Sequence, residues 1–161
     1  MASTSLSTSH PHHKHANRFD VFLSFRGEDT RHTFTDHLYH ALLRVGVRTF
    51  RDNDEIDRGQ ELKPEIKTAI TKSKASIVVL SENYANSRWC LNELWLILEQ
   101  RRTCNHYVLP IFYYVDPSDV RNQRGRFAIA ISKANRSDVR RWKDALTKVA
   151  NLTGMVHSGY I

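Results

Sequence analysis

The stretch FDVFLSFRGEDT, Phe19–Thr30, indicates both the fold class of the chain and the place to look for a functional site. Its first seven residues are mostly aromatic and aliphatic, which is typical of a short strand buried on both faces of a parallel sheet. The apolar run then stops at a polar tip that contains an arginine, a glycine and two acids. Ligands bind at such strand ends, so the neighbouring strand ends become candidates for the rest of the site.

The composition fits one globular domain in a reducing compartment. The chain has 161 residues, of which 40% are hydrophobic and 25% charged, which is enough for one core and too few for two ordinary domains. It contains no run of about 18 apolar residues, and its start lacks the apolar segment of a secretory signal. Cys90 and Cys104 are therefore predicted to be free thiols, outside any metal-binding or redox spacing. We expect a cytoplasmic protein with no membrane span, with the nucleus as an alternative.

Residues 1–17 differ from the rest of the chain in composition. They are rich in Ser, Thr and His and contain almost no large apolar side chain, which predicts a disordered tail before one domain over residues 18–161. The histidines His10, His12, His13 and His15 offer ligands to a transition metal but have no fixed geometry. We favour a flexible tail and predict no metal site. A Ser-rich, acid-poor start also fits an organelle transit peptide.

Apolar runs and amphipathic stretches alternate after the tail. The predicted strands are Phe19–Phe25, Val47–Phe50, Ala75–Leu80 and Tyr107–Val115, and the predicted helices are Thr30–Val45, Leu62–Ser73 and Arg88–Gln100, followed by a mostly helical region from Arg121 to Leu152. The first helix has an apolar face and a terminating Gly46, and the last helix has an inward face. These two faces are Phe34, Leu38, Ala41, Leu42 and Val45, and Val139, Trp142, Leu146 and Val149. A fifth strand is expected between the C-terminal helices, although no segment there is a clear candidate.

This alternation predicts an α/β fold, a flavodoxin-like doubly wound parallel sheet of about five strands with helices on both faces. The expected strand order is 2-1-3-4-5, in which the winding reverses between strands 1 and 3. The carboxyl ends of those two strands are SFRGEDT and SENYANSRWCLNEL. We therefore place the candidate site between these two segments.

The first of these tips has residue types suited to an anion. Gly27 permits a tight turn and a close approach of the backbone, and Asp29 or Thr30 can cap the following helix. Arg26 offers five donors to a phosphate or a carboxylate. An ordinary strand-to-helix turn with Arg26 in solvent explains the same residues equally well.

The second tip carries an aromatic ring beside an acid. The core positions of the helix follow i, i+3, i+4, i+7 spacing and are Leu91, Leu94, Trp95 and Leu98. Trp89 and Glu93, four residues apart, then share the opposite side in its first two turns, which suits a ligand with a flat ring and a sugar or a cation. The alternative is that Glu93 complements the helix dipole and Trp89 packs under a loop.

Three other kinds of doubly wound site are excluded by the sequence. A receiver-type phosphoacceptor needs an aspartate after strand 3, where this chain has Ser81. A nucleotide-binding P-loop needs a glycine-rich loop that ends in Gly-Lys-Ser or Gly-Lys-Thr, and a dinucleotide fingerprint needs Gly-x-Gly-x-x-Gly. Neither pattern occurs in the chain.

Five motifs in order resemble the plant type of Toll/interleukin-1 receptor (TIR) domain, from about Arg18 to Gly154. They are FDVFLSFRGEDTRHTFTDHLYHAL, RTFRDNDEIDRGQEL, IVVLSENYANSRWCLNEL, LPIFYYVDPSDVR and RWKDALTKVANLTG. The resemblance implies a flavodoxin-like domain that self-associates in immune and cell-death signalling. It also implies cleavage of the nicotinamide-ribose bond of NAD+ or NADP+, which releases nicotinamide and ADP-ribose-type products, cyclic ones included. The dinucleotide is the substrate, and no other cofactor is implied.

The resemblance also implies roles for particular residues. The essential glutamate of the family lies in a Trp-Cys-x-x-Glu-Leu motif, which here makes Glu93 the catalytic residue beside Trp89. The Phe-Arg-Gly element, Phe25-Arg26-Gly27, is expected to contact the nucleotide. A flap matching Arg51 to Leu62 is expected to help enclose the nucleotide, with Arg51 among its contacts.

Self-association has candidates in the first and last helices. A Ser-His pair in the first helix of the family aligns here with Asp36 and His37, so the serine is replaced by an acid. An ordinary exposed histidine is the simpler interpretation of His37 on residue type alone. Trp142 of the last helix is the third candidate.

The charge distribution supports a competing hypothesis. Nine basic residues and the two acids Asp138 and Asp144 lie between Arg121 and Lys148, so this region has a charge of nine minus two, +7, equal to the formal net charge of the whole chain. The basic residues are Arg121, Arg124, Arg126, Lys133, Arg136, Arg140, Arg141, Lys143 and Lys148. Such a face can bind DNA or RNA weakly through phosphates, although we favour two solvated helix faces. A TIR domain that only scaffolds other proteins is the remaining alternative.

Overall fold

The computed structural model describes residues 19–52, 61–129 and 135–158. The described strands are β1 (Phe19–Phe25), β2 (Thr49–Arg51), β3 (Ser73–Leu80), β4 (Tyr107–Tyr113) and β5 (Met155–His157). The helices are α1 (Gly27–Thr30), α2 (Phe34–Arg44), α3 (Pro64–Thr71), α4 (Arg88–Cys104), α5 (Pro117–Asn122) and α6 (Arg136–Ala150), with 3-10 turns at Tyr84–Asn86 and Gly125–Phe127. None of the described helices is long and apolar enough to cross a membrane.

The five strands form one parallel sheet in the order β2-β1-β3-β4-β5, which confirms the predicted fold class and the predicted place of reversal. Within the sheet, Leu23 of β1 lies opposite Arg51 of β2 and Ile77 of β3. The carboxyl ends of β1 and β3 are therefore adjacent, as the sequence predicts.

Alternate residues of the central strands enter two separate apolar clusters, one on each face of the sheet. Phe22 and Val78 belong to the larger cluster, together with residues of α3, α4, α5 and α6. Leu23 and Val79 belong to the smaller cluster, against which α2 packs. The central strands are buried on both faces because helices cover both sides of the sheet.

The first predicted helix, Thr30–Val45, corresponds to α2, and the short α1 that precedes it was not predicted. The short α1 ends at Thr30, whose buried hydroxyl lies 2.7 Å from that of Thr35, and α2 begins only at Phe34. The prediction that Val45 lies on the apolar face was wrong: it follows the helix end and is 75% exposed. Gly46 has φ +83° and donates its N–H to the Leu43 carbonyl, as expected of a glycine that terminates a helix.

Other predicted boundaries also differ from the structure by a few residues. Helix α3 covers Pro64–Thr71 rather than Leu62–Ser73, and strand β3 begins at Ser73 rather than Ala75. Helix α4 continues to Cys104, four residues beyond the prediction, and ends where Asn105 adopts a left-handed conformation with φ 56°. Strand β4 stops at Tyr113 because Tyr114 also has a positive φ, of 53°. Strand β2 covers Thr49–Arg51 rather than Val47–Phe50.

The fifth strand was expected between the C-terminal helices, but β5 follows the last helix. It has only three residues, all exposed, so it lacks the buried apolar alternation by which a strand is found in a sequence. Gly154 places it beside β4: a Cβ atom at this glycine would lie 2.4 Å from the Pro110 carbonyl oxygen. Only a glycine allows the backbone to approach β4 so closely.

Candidate functional site

The N-terminus of α4 lies against the end of β1. Ser87 caps the helix by accepting a hydrogen bond from the Cys90 N–H at 3.1 Å. The Cys90 thiol in turn donates to the Phe25 carbonyl at 3.5 Å. These contacts bring Trp89 and Glu93 to the point where β1 ends.

Asp29 joins the two strand tips. Its carboxylate accepts hydrogen bonds from the Ser81 hydroxyl at 2.5 Å and from the Asn83 main-chain and side-chain N–H groups, both at 2.8 Å. The prediction that Asp29 or Thr30 caps the following helix was wrong, since the residue before α2 is Thr33 and no side chain caps it. Asp29 instead fixes the β1 tip to the β3 tip.

A cavity of about 310 Å³ opens between these tips. Its walls include residues of the β1 end, of α1 and of α4, and also Asp52, which follows β2. They are Leu23, Phe25, Arg26, Gly27, Glu28, Arg31, Asp52, Ser87, Trp89, Cys90 and Glu93. The structure thus brings together five of the predicted site residues, Phe25, Arg26, Gly27, Trp89 and Glu93.

Glu93 lines this cavity although its side chain is almost fully buried, at 3% exposure. Ser24 Oγ lies 2.9 Å from Glu93 Oε1, and Trp89 Nε1 donates to Oε2 at 3.1 Å. Burial raises the pKa of Glu93 to about 8; the Ser24 hydrogen bond opposes this rise, Asp52 adds to it, and the Trp89 hydrogen bond opposes it. The carboxyl group is therefore largely protonated at neutral pH.

The position of Glu93 corrects one part of the sequence interpretation. We placed it with Trp89 on the side of α4 opposite the core, but Glu93 points beneath the end of β1 and Trp89 packs partly buried against the larger cluster. The two side chains are neighbours, as predicted. Glu93 lies in the protein interior, and Trp89 is partly buried beside it.

Sequence reasoning missed Ser24 and Tyr84. Both are 0% exposed, and the Tyr84 hydroxyl lies 2.8 Å from Ser24 Oγ and donates to the Cys90 carbonyl at 3.1 Å. A serine within the apolar run Val21–Phe25 of the central strand was the available signal, because a buried hydroxyl must find a partner. The sequence does not reveal that this partner is a glutamate 69 positions away.

Arg26 and Arg51 have different roles in the structure. Arg26 lines the cavity, pairs with Glu28 at 3.1 Å, and has a buried Nε with no hydrogen-bond partner among the described residues. Arg51 is not in the cavity wall: it pairs with Asp36 at 2.9 Å, and its guanidinium carbon lies 4.1 Å from the centre of the Tyr39 ring. Its Nε, like that of Arg26, is buried with no hydrogen-bond partner among the described residues, so the nucleotide contact of Arg51 stays a prediction. Most of the predicted flap, residues 53–60, lies outside the described part.

The three self-association candidates are in different environments. Asp36 binds Arg51 and lies 3.3 Å from His40 Nε2, whereas His37 is exposed on α2. Trp142 is 4% exposed and donates its Nε1 hydrogen to Asn92 Oδ1 at 3.0 Å, which confirms it on the inward face of the last helix. Its indole is thus buried in the core and cannot form a contact at the surface in this conformation.

Three of the nine basic residues in the C-terminal region form ion pairs in the described part of the structure. Arg126 pairs with Glu82 at 2.6 Å and Lys148 with Asp144 at 2.8 Å, while Arg141 pairs with Asp138. Lys133 and the histidines of residues 1–17 lie outside the described residues. Within the described ranges, no three His, Cys, Asp or Glu side chains cluster as metal ligands.

The fold and the cavity define a class of protein: a flavodoxin-like α/β domain with a buried acid at its switch point. The family model of the TIR domain matches residues 18–160, and the chain belongs to this family. The match covers the whole described structure.

The relatives of the chain are plant disease resistance proteins. Disease resistance protein RPV1 of Vitis rotundifolia is 53% identical over 162 residues, and TMV resistance protein N of Nicotiana glutinosa is 50% identical over 142. These alignments cover 96% and 84% of this chain but only 12% of each relative, so the chain spans about one eighth of their length. Among solved structures, the chain matches the TIR domains of the activated Roq1 resistosome, which directly recognizes the pathogen effector XopQ. The TM-score is 0.79 and the sequence identity 49%, and the match covers 86% of this chain and 87% of that chain.

Proposed function

We propose that this TIR domain cleaves the bond between nicotinamide and ribose in NAD+ or NADP+, with Glu93 as the catalytic residue. The observation that carries the proposal is the Glu93 carboxyl at the floor of the switch-point cavity, held by Ser24 and Trp89. Buried acids with strongly shifted pKa values cluster at functional sites. The products are nicotinamide and an ADP-ribose-type compound, cyclic or open.

The chemistry needs one carboxylate and no acid for the leaving group. Nicotinamide departs neutral from a positively charged nucleotide, so the C1′–N bond breaks as positive charge develops on the ribose. An ionised Glu93 beside the ribose stabilises that charge, as one carboxylate of a glycosidase pair does. Water then adds at C1′ and loses a proton, so NAD+ and water give nicotinamide, ADP-ribose and a proton.

The remaining cavity residues suit the other parts of a dinucleotide. Arg26 has a buried Nε without a partner among the described residues, and this donor can meet a phosphate oxygen. Gly27 leaves room for a close approach at the start of α1, and the Trp89 indole can stack on a ring. At about 310 Å³ the cavity is at the small end of ligand pockets, which span roughly 300 to 1,000 Å³. It fits one end of the dinucleotide.

We also propose that the domain works in an assembly with other TIR domains in plant immune signalling, inside the cytoplasm or nucleus. The similarity to the TIR domains of a resistosome supports this context. His37 is the exposed candidate contact on α2. His37→Ala should reduce the size of the oligomer measured by light scattering, whereas an unchanged size would remove His37 from the interface.

The test of the enzyme is nicotinamide release from NAD+ and NADP+, measured by chromatography over a range of protein concentrations with and without a crowding agent. Glu93→Ala and Glu93→Gln should each reduce release at least about 100-fold. Glu99→Gln is the matched control, because Glu99 lies on the same helix but pairs with Arg102 at the surface. Release that rises more steeply than protein concentration would identify assembly as the activating step.

The alternative is a TIR scaffold without turnover. It predicts no release even from protein shown to be oligomeric, and that result would reject the proposed activity. Release that survives Glu93→Gln would instead reject Glu93 as the catalytic residue.

A further inference from the structure

Three polar contacts in series connect Glu93 back to its own helix. Ser24 Oγ lies between Glu93 Oε1, at 2.9 Å, and the Tyr84 hydroxyl, at 2.8 Å, and that hydroxyl lies 3.1 Å from the Cys90 carbonyl oxygen. Cys90 and Glu93 are three residues apart in α4. The contacts therefore close a ring through β1, the turn at Tyr84–Asn86 and α4.

The number of protons in this ring depends on the charge of Glu93. Each hydroxyl carries one proton and a carbonyl oxygen only accepts. With Glu93 ionised, the two protons of Ser24 and Tyr84 must serve three contacts, so one contact is left without a hydrogen bond. With Glu93 protonated, three protons serve three contacts: Glu93 donates to Ser24, Ser24 to Tyr84, and Tyr84 to Cys90.

Trp89 fixes where the proton of neutral Glu93 resides. An indole N–H only donates, so Glu93 Oε2, which it contacts at 3.1 Å, must accept. The proton then lies on Oε1, the oxygen that faces Ser24. The geometry thus assigns one direction of hydrogen bonding to the neutral acid.

We propose that Ser24 and Tyr84 form a hydroxyl relay that points away from Glu93 while this acid is neutral and reverses direction when it ionises, with Tyr84 favouring the neutral form and Ser24 the ionised form. On ionisation the Oε1 proton leaves to solvent, Ser24 turns to donate to Oε1, Tyr84 turns to donate to Ser24, and the Cys90 carbonyl loses its side-chain donor. Ser24 and Tyr84 are therefore positioning residues. Their effect on turnover rests on the proposed NAD+ cleavage, whereas the relay itself belongs to the protein without substrate.

Other titratable and charged groups also face Glu93 or its cavity. Among the described residues they are Asp52 after β2, Arg26, Glu28 and Arg31 around α1, Cys90 on α4, and Tyr84 in the 3-10 turn. Burial raises the pKa of Tyr84 well above its usual value, so its hydroxyl keeps its proton while Glu93 titrates. Removing only a hydroxyl group leaves all the charges around Glu93 in place.

The relay predicts shifts of opposite sign in two such variants. Tyr84→Phe removes two hydrogen bonds from the neutral state and one from the ionised state, so the pKa of Glu93 should fall. Ser24→Ala removes a donor from a buried carboxylate, which costs more than removing an acceptor from a neutral acid, so the pKa should rise. Each shift should be roughly half a unit to one unit.

The experiment is a nuclear magnetic resonance titration of protein with carbon-13 in its glutamate carboxyl groups, between about pH 5 and about pH 10. The Glu93 signal is assigned by its absence from Glu93→Gln. Ser73→Ala and Tyr113→Phe are matched controls and should leave the signal unchanged: Ser73 is a buried serine that donates to the Ala69 carbonyl, and Tyr113 lies in the smaller cluster on the other face of the sheet.

Shifts of opposite sign in Tyr84→Phe and Ser24→Ala would support the relay, and the pH dependence of nicotinamide release should then move with each pKa. Shifts of the same sign, or none, would overturn it; both variants would lower the pKa if they simply admitted water. The two proposals can fail separately. Opposite shifts without any nicotinamide release would reject NAD+ cleavage alone, and Glu93-dependent release without opposite shifts would reject the relay alone.

Discussion

Glu93 and Asp36 are carboxyl groups in two regions of one domain, and the protein treats them in opposite ways. Glu93 is 3% exposed, its hydrogen-bond partners are the uncharged Ser24 and Trp89, and burial raises its pKa to about 8. Asp36 has a side chain that is 39% exposed, and the hydrogen bond from Arg51 is the main reason why its pKa lies below the usual value. The two acids therefore differ in charge at neutral pH.

Each location stabilises a different charge state of its carboxyl group. At Asp36 the counter-charge is supplied by the protein itself, so the acid is ionised at little cost. At Glu93 the hydrogen bonds of a carboxylate are supplied but a counter-charge is not among its nearest partners. A positive charge that develops on a ligand in the cavity would supply this counter-charge. The attraction between the Glu93 carboxylate and a positive charge is therefore available to a reacting ligand rather than to the folded protein alone.

Glu93→Gln should give the largest change in stability. An acid whose pKa is raised on folding binds its proton more tightly in the folded state, so wild-type stability falls as pH rises from 4.5 to about 8. The glutamine amide can donate to Ser24 and accept from Trp89 as the neutral acid does. We expect the variant to be more stable than wild type by about 2 to 5 kcal/mol near pH 9. Urea unfolding at this pH and near pH 5 measures the effect, and a difference that is the same at both pH values would contradict it.

Glu93→Asp tests whether the position of the carboxyl group matters as well as its presence. The side chain is one methylene shorter and cannot reach both Ser24 Oγ and Trp89 Nε1. We expect kcat for nicotinamide release to fall roughly 10- to 100-fold with less change in KM. Glu99→Asp, at the surface of the same helix, is the control and should behave as wild type. Full activity in Glu93→Asp would show that these two contacts do not position the acid.

Trp89→Phe should have an intermediate effect. It keeps an aromatic ring but removes the N–H that donates to Glu93 Oε2, so the ionised form loses a donor and the pKa of Glu93 rises further. The pH profile of nicotinamide release should move upward by roughly half a unit to one unit. Trp95→Phe on the same helix is the control. A profile that stays in place would mean that Trp89 acts only as a stacking surface.

Asp36→Asn should have the smallest effect. An acid with a lowered pKa contributes stability above its unfolded pKa of 3.8, and this contribution is lost as pH falls through the folded value. The variant should therefore melt slightly below wild type at neutral pH, and the gap should close in strong acid and shrink with added salt. Calorimetry at low and high salt measures it. A gap that salt does not reduce would indicate that Asp36 is needed for more than its ion pair.

Much of the fold was predictable because it depends on patterns within single segments. The apolar residues of β1 are nearly contiguous, and those on the inward face of α6 recur every three or four residues. Both patterns are therefore visible within a short stretch of sequence. Gly46 predicted the end of α2 because a glycine readily adopts the positive φ that terminates a helix, whatever its tertiary surroundings. Strand β5 gave no such signal because its three residues are all exposed. Its position in the sheet depends on the close approach of Gly154 to Pro110.

The candidate site was predictable only in part. Trp89 and Glu93 share a helix, so their proximity follows from a spacing of four residues, and Arg26 and Gly27 follow from the strand order. The burial of Glu93 depends on how α4 packs against β1, and the spacing of residues along α4 does not determine this packing. The pairing of Arg51 with Asp36 and of Ser24 with Glu93 likewise joins distant segments. The resemblance to the TIR family suggested a nucleotide contact for Arg51 and a partner contact for Trp142. In the structure Arg51 pairs with Asp36, and Trp142 is buried and donates to Asn92.

The hydrogen bond from Trp89 to Glu93 gives the site an optical reporter of its own. Indole emission responds to the electric field across the ring, and here a group 3.1 Å from Nε1 gains or loses a full charge. The other two tryptophans, Trp95 and Trp142, can be replaced by phenylalanine. The emission wavelength of Trp89 in such a protein should follow pH with the midpoint of Glu93, so the charge of the candidate catalytic residue can be followed by fluorescence, without labels and within milliseconds of a pH jump or of mixing with a dinucleotide.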